Sequence, residues 1–496
     1  MAGKPENNRA DEISAIACKR GFFFPTADIY GGKSGFFTYG HLGKLMKIKW
    51  ENLWRNFFLK EENYYEIQGN NILPEKVFIA SGHIENFNDP LAECKNCHFR
   101  FKADQLLEDS KPYTDGMSLG EMNSLIGKKK LKCPKCNGGL SEVKWFNMMF
   151  PVSIGFAGEK GYLSPETAQS AYLAFNQEFD ATRKKLPLGL AIIDKAYRNE
   201  ISPRQLFFRL REFTQAELQI FFDADEIDKL NPEKWEGIEN LKLNVKLAEE
   251  KEAKEISCKE LHKKFPKFYL YNAAKIQGFY LDILKIPKEK FRFRELSEEE
   301  RAFYNKIHMD IELDLETLGG FKEVAGLHYR TDHDLKGHEK ISGKNLEIFH
   351  NNKKLIPHVL ELSFGVDRNI WAFLDIFYKK EKVDKEERAI FRFPMAMAPF
   401  EAAVFPLVNK DGLDKKAEEI FSFLKQQLGV FYDSSGSIGR RYARADEIGV
   451  PYCITIDHQT LQDNTVTVRF RDSAKQERVQ ISSLLAFLLG NNMRGK

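Results

Sequence analysis

The amino-acid sequence predicts a multidomain α/β protein, and three observations lead to this fold class. A chain of 496 residues is too long for one hydrophobic core, and its length favours roughly three domains. Two aromatic-rich runs, AYRNE and QLFFRLREF, flank the turn-favouring pair Ser202-Pro203, which predicts two antiparallel strands joined by a loop. Between residues 391 and 496 strand-like and helix-like segments alternate, which is typical of a mixed sheet with right-handed crossovers.

The composition is that of an ordinary soluble globular protein, with 43% hydrophobic and 30% charged residues and a formal net charge of +3. Such a balance neither requires nor excludes a nucleic-acid partner, because a local basic patch can bind phosphates. No run approaches the roughly 18 apolar residues of a membrane helix, and the N-terminus lacks the apolar core of a signal peptide. We therefore expect a cytoplasmic protein with no membrane partner.

The N-terminal region predicts a loose start followed by a core helix. Residues 1–15 are polar and are predicted to be loosely held. Glycines then punctuate aromatic residues, but their spacing matches no phosphate-binding loop. In the run LGKLMKIKWENLWRNFFL apolar positions recur at helical spacing, which predicts a helix packed on the core.

Two CxxC pairs, Cys94 with Cys97 and Cys133 with Cys136, give the strongest local signal outside the predicted hairpin. Four thiolates at such a spacing reach one tetrahedral zinc ion at about 2.3 Å each, and all-cysteine ligation leaves no open position. We therefore predict a structural zinc ion, held by an insertion that spans residues 92–140. Four unlinked structural cysteines are the alternative.

The region between the second cysteine pair and the hairpin predicts a strand, a helix and a second strand. KWFNMMFPVSIG is predicted to be a strand, and PETAQSAYLAFNQEFDATRKK a helix with Ser164 as its N-cap and Pro165 in its first turn. This start places Glu166 in the first turn, where the helix dipole favours an acid. The apolar run LPLGLAII is long enough for a buried strand and leads directly into the hairpin.

The hairpin itself, from Tyr197 to Asp223, carries charges of both signs among phenylalanines. Burying such a face is costly unless the charges pair with one another or meet a charged ligand. The segment therefore predicts either an ion-pair ladder on an exposed hairpin or a binding site for a charged molecule.

Two segments beyond the hairpin are predicted to be helical. Residues 225–268 are rich in Lys and Glu, which is typical of a solvated helical insertion. Ser297 and Glu300 match a capping box, which predicts an amphipathic helix over residues 297–318. The run FKEVAGLHYRTDHDLKGHEKISGKNLEIF then predicts paired strands with a polar excursion, whose histidines we expect at the surface.

The run PHVLELSFGVDRNIWAFLDIFYKK (357–380) predicts a strand, a tight turn and a helix. Gly365 permits the turn, and Arg368 emerges at the helix start, where a cation is unfavourable unless it serves an anion. In the C-terminal region a basic helix start is suited to phosphate contact through Arg440, Arg441 and Arg444.

The hairpin contains the segments RNE and RLREFTQAE. It resembles motif 2 of the class II aminoacyl-tRNA synthetases in the form found in glycyl-tRNA synthetases. Other blocks resemble the same family in the expected order: RGFFFPTADIYGG (20–32), NFNDPLAEC (86–94), GYLSPETAQ (161–169), LPLGLAIIDKAYRNEISPR (186–204), HYRTDHDL (328–335) and ELSFGVDR (361–368). The resemblance implies a catalytic domain over residues 1–385, built on an antiparallel sheet with motifs 1, 2 and 3, and an anticodon-binding domain over residues 391–496. It also implies a homodimer that uses ATP with Mg²⁺ to join glycine to tRNA(Gly).

The resemblance assigns two catalytic residues. Arg198 would hold the α-phosphate of ATP and stabilise the transition state, while Arg368 would clamp the distal phosphates together with Arg209. Glu323 would carry the magnesium ion bound to ATP, and Glu200 would accept from the adenine amino group. The other implied contacts to ATP are Asn199, Phe208, Leu210, Arg211, Glu212, Phe213 (stacked on the adenine), Val324 and Gly365.

Glycine offers only an ammonium and a carboxylate, so acids around the ammonium and no room beyond the α-carbon are the physically sensible recognition device. The positions that match the family's glycine site are Glu166, Glu217, Glu361 and Ser363. A further substrate contact falls to Arg100 or to Lys102, which stands where an arginine is common in the family.

Two departures from the family pattern concern loops, since Leu206 and Asp367 both stand where glycine is usual. Two other functions compete with glycine activation. A threonyl or prolyl relative is one, but threonine recognition in the family uses a catalytic zinc with histidine ligands, and the cysteines here offer only a closed site. An inactive synthetase-like binding protein is the other, and it would lack the ATP-contact arginines that this sequence retains.

Overall fold

The computed structural model describes residues 8–107, 117–203, 206–302, 304–383 and 386–494 of the protein. Within these ranges no helix is both long and apolar enough to span a membrane. One large aromatic-rich core packs against the main sheet, and a separate core lies in the C-terminal part.

The first part of the chain is made of short strands around one long helix. In chain order its elements are α1 (Asn8–Arg20), β1 (Phe23–Pro25), β2 (Phe37–Tyr39), α2 (His41–Trp54), β3 (Tyr65–Glu66), β4 (Ile72–Pro74), α3 (Glu75–Ala80), α4 (His83–Asn86), β5 (Asn88–Glu93), β6 (Arg100–Lys102), α5 (Ala103–Leu107), α6 (Leu119–Lys128), β7 (Lys144–Asn147), β8 (Phe150–Ile154) and β9 (Glu159–Leu163). The predicted core helix is confirmed by α2, whose Trp50 and Trp54 are fully buried.

The middle of the chain builds the main sheet. Its elements are α7 (Ala168–Ala181), β10 (Leu188–Tyr197), β11 (Glu212–Phe222), α8 (Pro232–Glu236), β12 (Lys242–Lys246), β13 (Lys254–Ser257), α9 (Cys258–Leu261), α10 (Lys267–Gly278), β14 (Phe291–Glu295), β15 (Ile307–Leu315), β16 (Gly320–Thr331), α11 (His333–Ser342), β17 (Ile348–His350), β18 (Lys353–Leu355), β19 (His358–Gly365) and α12 (Val366–Phe377). Within the described ranges the sheet has the order β13-β12-β14-β15-β16-β19-β11-β10-β3, and it is antiparallel from β14 to β10.

The C-terminal part is a second, mixed sheet with helices. Its elements are β20 (Tyr378–Val383), β21 (Glu386–Phe391), β22 (Ala402–Pro406), α13 (Leu413–Leu424), β23 (Val430–Tyr432), α14 (Ile438–Glu447), β24 (Tyr452–Ile456), α15 (Thr460–Asp463), β25 (Thr465–Phe470), β26 (Gln476–Gln480) and α16 (Leu484–Arg494). The order β23-β22-β24-β25-β26 is parallel in its first three strands and antiparallel in the rest, so the predicted mixed sheet is confirmed.

The predicted loose start is wrong from residue 8 onwards, because α1 is a regular helix. Ile13 and Ala17 are fully buried in the main core, and Arg9 donates to the backbone carbonyl of Asp375 at 2.7 Å. The burial of one apolar face outweighs the polar composition of this segment. Residues 1–7 lie outside the described ranges.

The predicted hairpin is present, but its second strand begins later than the sequence suggests. β10 and β11 pair antiparallel from Leu188 opposite Phe221 to Tyr197 opposite Glu212. Leu206 adopts the left-handed conformation, with φ +56°, and begins a short turn that buries the two phenylalanines after it. A glycine would hold this conformation without the cost of roughly 1–2 kcal/mol that a side chain carries there. The preceding loop residues 204 and 205 lie outside the described ranges.

The prediction of a helical insertion over residues 225–268 is wrong in its secondary structure. β12 and β13 form an antiparallel pair at the edge of the main sheet, and only short helices flank them. Leu243 and Val245 are fully buried while their neighbours are not, which is a strand alternation. The high charge of this segment belongs to the solvated edge of a sheet.

The helix predicted over residues 297–318 is also wrong. The capping-box contacts do form, since the backbone N–H of Glu300 donates to Ser297 Oγ at 3.3 Å and that of Ser297 donates back to Glu300 at 3.1 Å. They close a turn, however, and the chain continues into β15. This strand buries Asp310 and Glu312 in pairs with Arg294 and Arg292 of β14, at 3.5 and 2.6 Å.

One helix boundary, one loop and the arginines of α14 differ from the predictions. α7 begins at Ala168, so Glu166 lies before the helix and not in its first turn. The polar excursion after β16 is the helix α11, and its His338 is buried where we expected a surface residue. In α14 Arg441 is buried against backbone carbonyls and Arg444 pairs with Asp433 at 2.6 Å.

Candidate active site

A pocket of about 180 Å³ lies on one face of the main sheet, where β11, β16 and β19 are neighbours. The sheet register decides which side chains form its floor. Cross-strand partners point to the same face. One row across the sheet is His308, His328, Glu361 and Gln219, and the next row is Asp310, Gly326, Ser363 and Glu217.

A cluster of buried carboxylates forms the inner end of the pocket. Glu166, Glu217 and Glu361 are 8%, 3% and 3% exposed. Arg330 is the cation among them, and its guanidinium lies 2.9 Å from Glu361, 2.9 Å from Asp334 and 3.7 Å from Glu166. One guanidinium therefore pairs with three carboxylates and leaves Glu217 beside them unpaired, so the cluster can accept a further positive charge.

Glu217 is the carboxylate that no cation contacts in the described part of the chain. It accepts from the hydroxyls of Thr167 at 2.7 Å and Ser363 at 2.8 Å. Burial and the nearby charges of Glu361 and Glu166 raise its pKa to about 7. A small cation placed beside Glu217 would reverse this shift, as expected of an ammonium-binding acid.

The other two glutamates are held ionised. Burial acts to raise the pKa of Glu361, but Arg330 and the hydrogen bond from His328 outweigh it and lower that pKa to about 2. Burial is likewise outweighed for Glu166, whose pKa lies below its ordinary value because of His83 and Arg330. The floor of the pocket is thus strongly negative at neutral pH.

Arginines line the outer part of the pocket. Arg198 lies between the rings of Phe87 and Phe213, with its guanidinium carbon 5.4 and 5.2 Å from their centroids, and its Nε donates to the carbonyl of Pro165 at 3.1 Å. Arg368, at the start of α12, lies 3.1 Å from the carboxylate of Glu323. Fixed guanidinium groups in a partly enclosed site are suited to phosphate oxygens.

Glu323 combines partial exposure with a charged setting. Its side chain is 50% exposed at the pocket rim. Partial burial of the carboxylate acts to raise its pKa, but the charges of Arg368, His308 and Arg198 lower the pKa overall. The carboxylate is therefore ionised. An exposed, ionised carboxylate beside phosphate-binding arginines has the donor chemistry that a hard divalent cation prefers.

Gly365 and Asp367 shape the start of α12, from which Arg368 emerges. Gly365 is extended, with φ −78°, so the turn does not require a glycine for its conformation. A Cβ there would lie 3.1 Å from Arg368 Cδ, so the glycine provides room for this arginine. Asp367 is buried and accepts from Tyr39 Oη at 2.5 Å and from the backbone N–H of Thr214.

The structure brings most of the predicted site residues together. Those that line the pocket are Glu166, Arg198, Glu200, Phe208, Arg209, Leu210, Phe213, Glu217, Glu323, Glu361, Ser363, Gly365 and Arg368. Those that do not are Arg100, Asn199, Arg211, Glu212 and Val324. Arg211 donates to backbone carbonyls of Ser34 and Glu200 and so ties the loop together, while Val324 is fully buried.

Neither of the two cations proposed for a further substrate contact reaches the pocket. Arg100 is largely exposed and pairs with Glu93 at 2.7 Å. Lys102 pairs with Asp89 at 2.9 Å. Arg330, which the sequence reasoning passed over, is the cation that lies among the acids. Its pairing with Asp334 four residues later was the available signal.

The two CxxC pairs form matched knuckles whose sulfurs converge. Cys94 and Cys136 Sγ are 3.5 Å apart, Cys97 and Cys133 Sγ are 3.7 Å apart, and all four lie within 4.8 Å of one another. Bonds of about 2.3 Å in a tetrahedron require separations of about 3.8 Å, so this donor set fits zinc.

The knuckles also share their backbone geometry. The backbone N–H groups of Asn96 and Lys135 each donate to the first cysteine sulfur of their knuckle at 3.4 Å. The residues after the second cysteines, His98 and Asn137, are both left-handed, with φ of 54° and 61°. The loops therefore hold the sulfurs in position without help from a disulfide.

Comparisons with known proteins agree with the fold and the site. A family described as "tRNA synthetase class II core domain (G, H, P, S and T)" matches residues 156–377, and one described as "Anticodon binding domain" matches residues 401–491. The glycine-tRNA ligase of Methanococcus vannielii is 35% identical over 97% of this chain and 99% of its own length. That of Pyrococcus horikoshii is 39% identical over 96% of this chain and 97% of its own.

A solved structure supports the fold alone. The prolyl-tRNA synthetase from Cryptosporidium parvum, complexed with halofuginone and AMPPNP, is similar with a TM-score of 0.62 and 14% identity, over 98% of this chain and 76% of that one. Identity near 37% over almost the whole chain, as with the Thermococcus kodakarensis enzyme, is far more specific. The chain belongs to the glycine-tRNA ligases, a family of class II aminoacyl-tRNA synthetases.

Proposed function

We propose that this protein activates glycine with ATP, releasing pyrophosphate, and then transfers the glycyl group from the adenylate to the 3′ end of tRNA(Gly). The observation that carries the proposal is the buried carboxylate cluster, whose Glu217 has only hydroxyl partners in the described chain, beside a row of arginines. A small ammonium fits the acids and a polyphosphate fits the arginines, so the two substrates of amino-acid activation meet in one pocket.

Glycine is bound by its charges. We assign its ammonium to Glu166, Glu217 and Glu361, which line the pocket, and we propose that the space beside them excludes amino acids with a larger side chain. Ser363 holds Glu217 in place through its hydroxyl. The predicted role of Arg100 has no support from its position, and Arg330 is the cation that we assign to this site.

The activation step brings two anions together, the carboxylate of glycine and the α-phosphate of ATP. Fixed cations lower this barrier because they stabilise the charge that builds up in the transition state. We assign this role to Arg198, and we assign the distal phosphates to Arg368 and Arg209. Magnesium, which enters bound to ATP, would neutralise phosphate charge next to Glu323.

No side chain of the pocket needs to act as a covalent nucleophile. The carboxylate of glycine attacks the α-phosphorus, and in the second step a ribose hydroxyl of the tRNA attacks the carbonyl of the adenylate. The residues of the chain bind, orient and neutralise charge. Phe213 and Glu200 are proposed to hold the adenine ring.

We infer a catalytic domain over residues 1–385 and an anticodon-binding domain over residues 391–496. We also infer a homodimer and a cytoplasmic location. The matched anticodon-binding family supports a tRNA contact in the C-terminal domain.

The direct test is ATP–pyrophosphate exchange with each of the standard amino acids, with and without tRNA. We expect exchange with glycine alone, because larger amino acids do not fit and because alanine adds a methyl group to a charged pocket. Exchange with proline or threonine would replace the substrate assignment. A folded protein that supports no exchange with any amino acid would overturn the proposed activity.

We further propose that the four clustered cysteines hold one structural zinc ion. Cys133→Ser is expected to lower the zinc content from about one ion per chain and to reduce the melting temperature of the protein. Elemental analysis and thermal unfolding measure both. Cys258→Ser is the matched control, since Cys258 is equally buried but lies outside the cluster, and it should retain the metal. Purified wild-type protein without zinc would show the assignment to be wrong.

A further inference from the structure

The row of side chains behind the carboxylate cluster contains two histidines in direct contact. His308 and His328 are cross-strand partners on β15 and β16, and their Nε2 atoms are 3.0 Å apart. His328 Nδ1 contacts Glu361, its partner on β19. Both imidazoles are 17% exposed and line the pocket, but the activation chemistry described above uses neither of them.

The hydrogen bonds along this row define one consistent set of protons. Two nitrogens 3.0 Å apart share a single proton, so one imidazole donates and the other accepts. Glu361 accepts, so His328 carries its proton on Nδ1 and accepts at Nε2. His308 therefore donates from Nε2, which also lies 3.0 Å from Asp310 Oδ1, and its Nδ1 accepts from Asn305 Nδ2 at 3.4 Å.

A second arrangement becomes available when one proton is added. His328 then donates from both nitrogens, and His308 accepts at Nε2 and carries its proton on Nδ1. Asp310 gives up its hydrogen bond with His308 Nε2 in this state and keeps its pairing with Arg294. Asn305 can serve this state as well, because its buried Oδ1 has no hydrogen-bond partner within the described ranges and an amide rotation exchanges it with Nδ2. The Nε2 proton of His308 moves to His328 while the added proton binds at His308 Nδ1, so the charge appears beside Glu361.

We propose that His308 and His328 are positioning residues of the amino-acid pocket, which hold Glu361 in place and relay a proton that changes the pocket's affinity for an ammonium group. This inference rests on the proposed function, since it concerns the same pocket. With both imidazoles neutral, Glu361 presents its full charge to the ligand. With His328 protonated, a cation already contacts Glu361 and competes with the incoming ammonium.

The charged neighbours determine the pH range of the relay. The groups that face the pair are Asp310, Glu323, Arg330 and Glu361. Burial acts to lower the pKa of His328, but the hydrogen bond to Glu361 raises it overall, whereas burial and the neighbouring His328 lower the pKa of His308. Protonation therefore begins at His328 as the pH falls towards its raised pKa, and the affinity for the ammonium falls with it.

Two glutamine variants distinguish a relay from a purely structural role. The readout is KM for glycine and kcat in pyrophosphate exchange between about pH 6 and pH 8. In the wild type, His328 and Glu217 both titrate. Log KM for glycine should therefore rise as the pH falls, with a slope that approaches two per pH unit. His328→Gln should raise KM about tenfold at pH 8, with kcat changed less than about threefold, and should lower the slope towards one.

His308→Gln makes the sharper prediction. A glutamine amide can donate to neutral His328 Nε2 as His308 does. Towards a protonated His328 it offers only an amide oxygen, which is a weaker acceptor than an imidazole nitrogen, so protonation of His328 should move to lower pH. This variant should have a nearly wild-type KM at pH 8 and the reduced slope at low pH, whereas His308→Ala, which lacks the donor, should restore the dependence on pH. His358→Gln is the matched control. His358 lies on β19, the strand of Glu361, but on the opposite face of the sheet, where it is bound to Tyr329 Oη at 2.7 Å.

Proton release on binding glycine, measured by calorimetry in two buffers near pH 7, gives a readout that does not depend on catalysis. The wild type should release more protons than either glutamine variant. Profiles and proton release that match the wild type in both variants would overturn the relay. If wild-type protein exchanges another amino acid instead, the proposed substrate is wrong, and the same titration with that amino acid still decides the relay.

Discussion

Replacing Arg198 with alanine is expected to reduce glycine-dependent pyrophosphate exchange by a factor of about 10³ or more. Arg198 is fixed at the outer part of the pocket by two aromatic rings and one backbone carbonyl, so its guanidinium is pre-positioned for a phosphate. Its removal takes away the cation that we assign to the transition state. Exchange kinetics with saturating glycine and ATP measure this loss.

The same variant should remain folded, which makes the result interpretable. Arg198 forms no ion pair in the described structure, so alanine leaves no buried acid without its partner. Arg198→Lys keeps the charge but loses the planar fork, and it should recover only a small part of the activity. Arg440→Ala, an exposed arginine of α14, is the control for surface charge. Near-normal exchange by Arg198→Ala would contradict the assignment of the hairpin as motif 2.

Replacing Arg330 with methionine is expected to have the largest effect on stability. Arg330 is 2% exposed and contacts Asp334, Glu361 and Glu166, all of them buried. Removing one partner of a buried charge network leaves uncompensated charges and costs about 3–5 kcal/mol. Denaturant unfolding of the protein measures the loss, and Arg292→Met, which breaks a more exposed pair between β14 and β15, should cost less.

The cost of Arg330→Met should also depend on pH. The folded-state pKa of Glu361 is lowered to about 2, so its ionisation stabilises the wild type above the ordinary pKa of a glutamate, about 4.3, and this contribution is lost as the pH falls towards 2. The variant lacks the contribution, so the difference between the two proteins should shrink over the same range. A difference that stays constant with pH would show that packing, and not charge, dominates.

The sequence predicted well those elements in which local pattern and tertiary environment agree. The strand, turn and helix around Arg368 and the long helix with Trp50 and Trp54 are examples, since their apolar periodicity matches the face that is buried. The convergence of both cysteine pairs was likewise predictable, because the CxxC spacing itself builds the knuckle.

The elements that were missed are those in which the sheet overrides a local signal. Ser297 and Glu300 form the contacts of a capping box, yet β15 follows, because Ile311 and Leu313 find a buried place between β14 and β16. The Lys- and Glu-rich segment that holds β12 was assigned by its charge, although Leu243 and Val245 alternate as in a strand. The many charged residues of this segment hid the alternation of buried and exposed positions.

The active-site residues that were missed are those whose role depends on register. Arg330, His308 and His328 lie on strands far apart in sequence, and only the alignment of β15, β16 and β19 brings them beside Glu361. A surface position was the ordinary expectation for His328, which stands in a polar run. Nothing local in the sequence indicates that it faces His308 across a buried row.

Gly326 occupies the place in the second row that lies under the imidazole of His328, and a Cβ there would lie 2.3 Å from Nε2. A side chain at 326 and an imidazole bound to both Glu361 and His308 thus exclude each other. In evolutionary terms the two positions form one coupled unit: a lineage that replaces the glycine must also replace the histidine or move it, and the two substitutions should appear together among descendants of this chain.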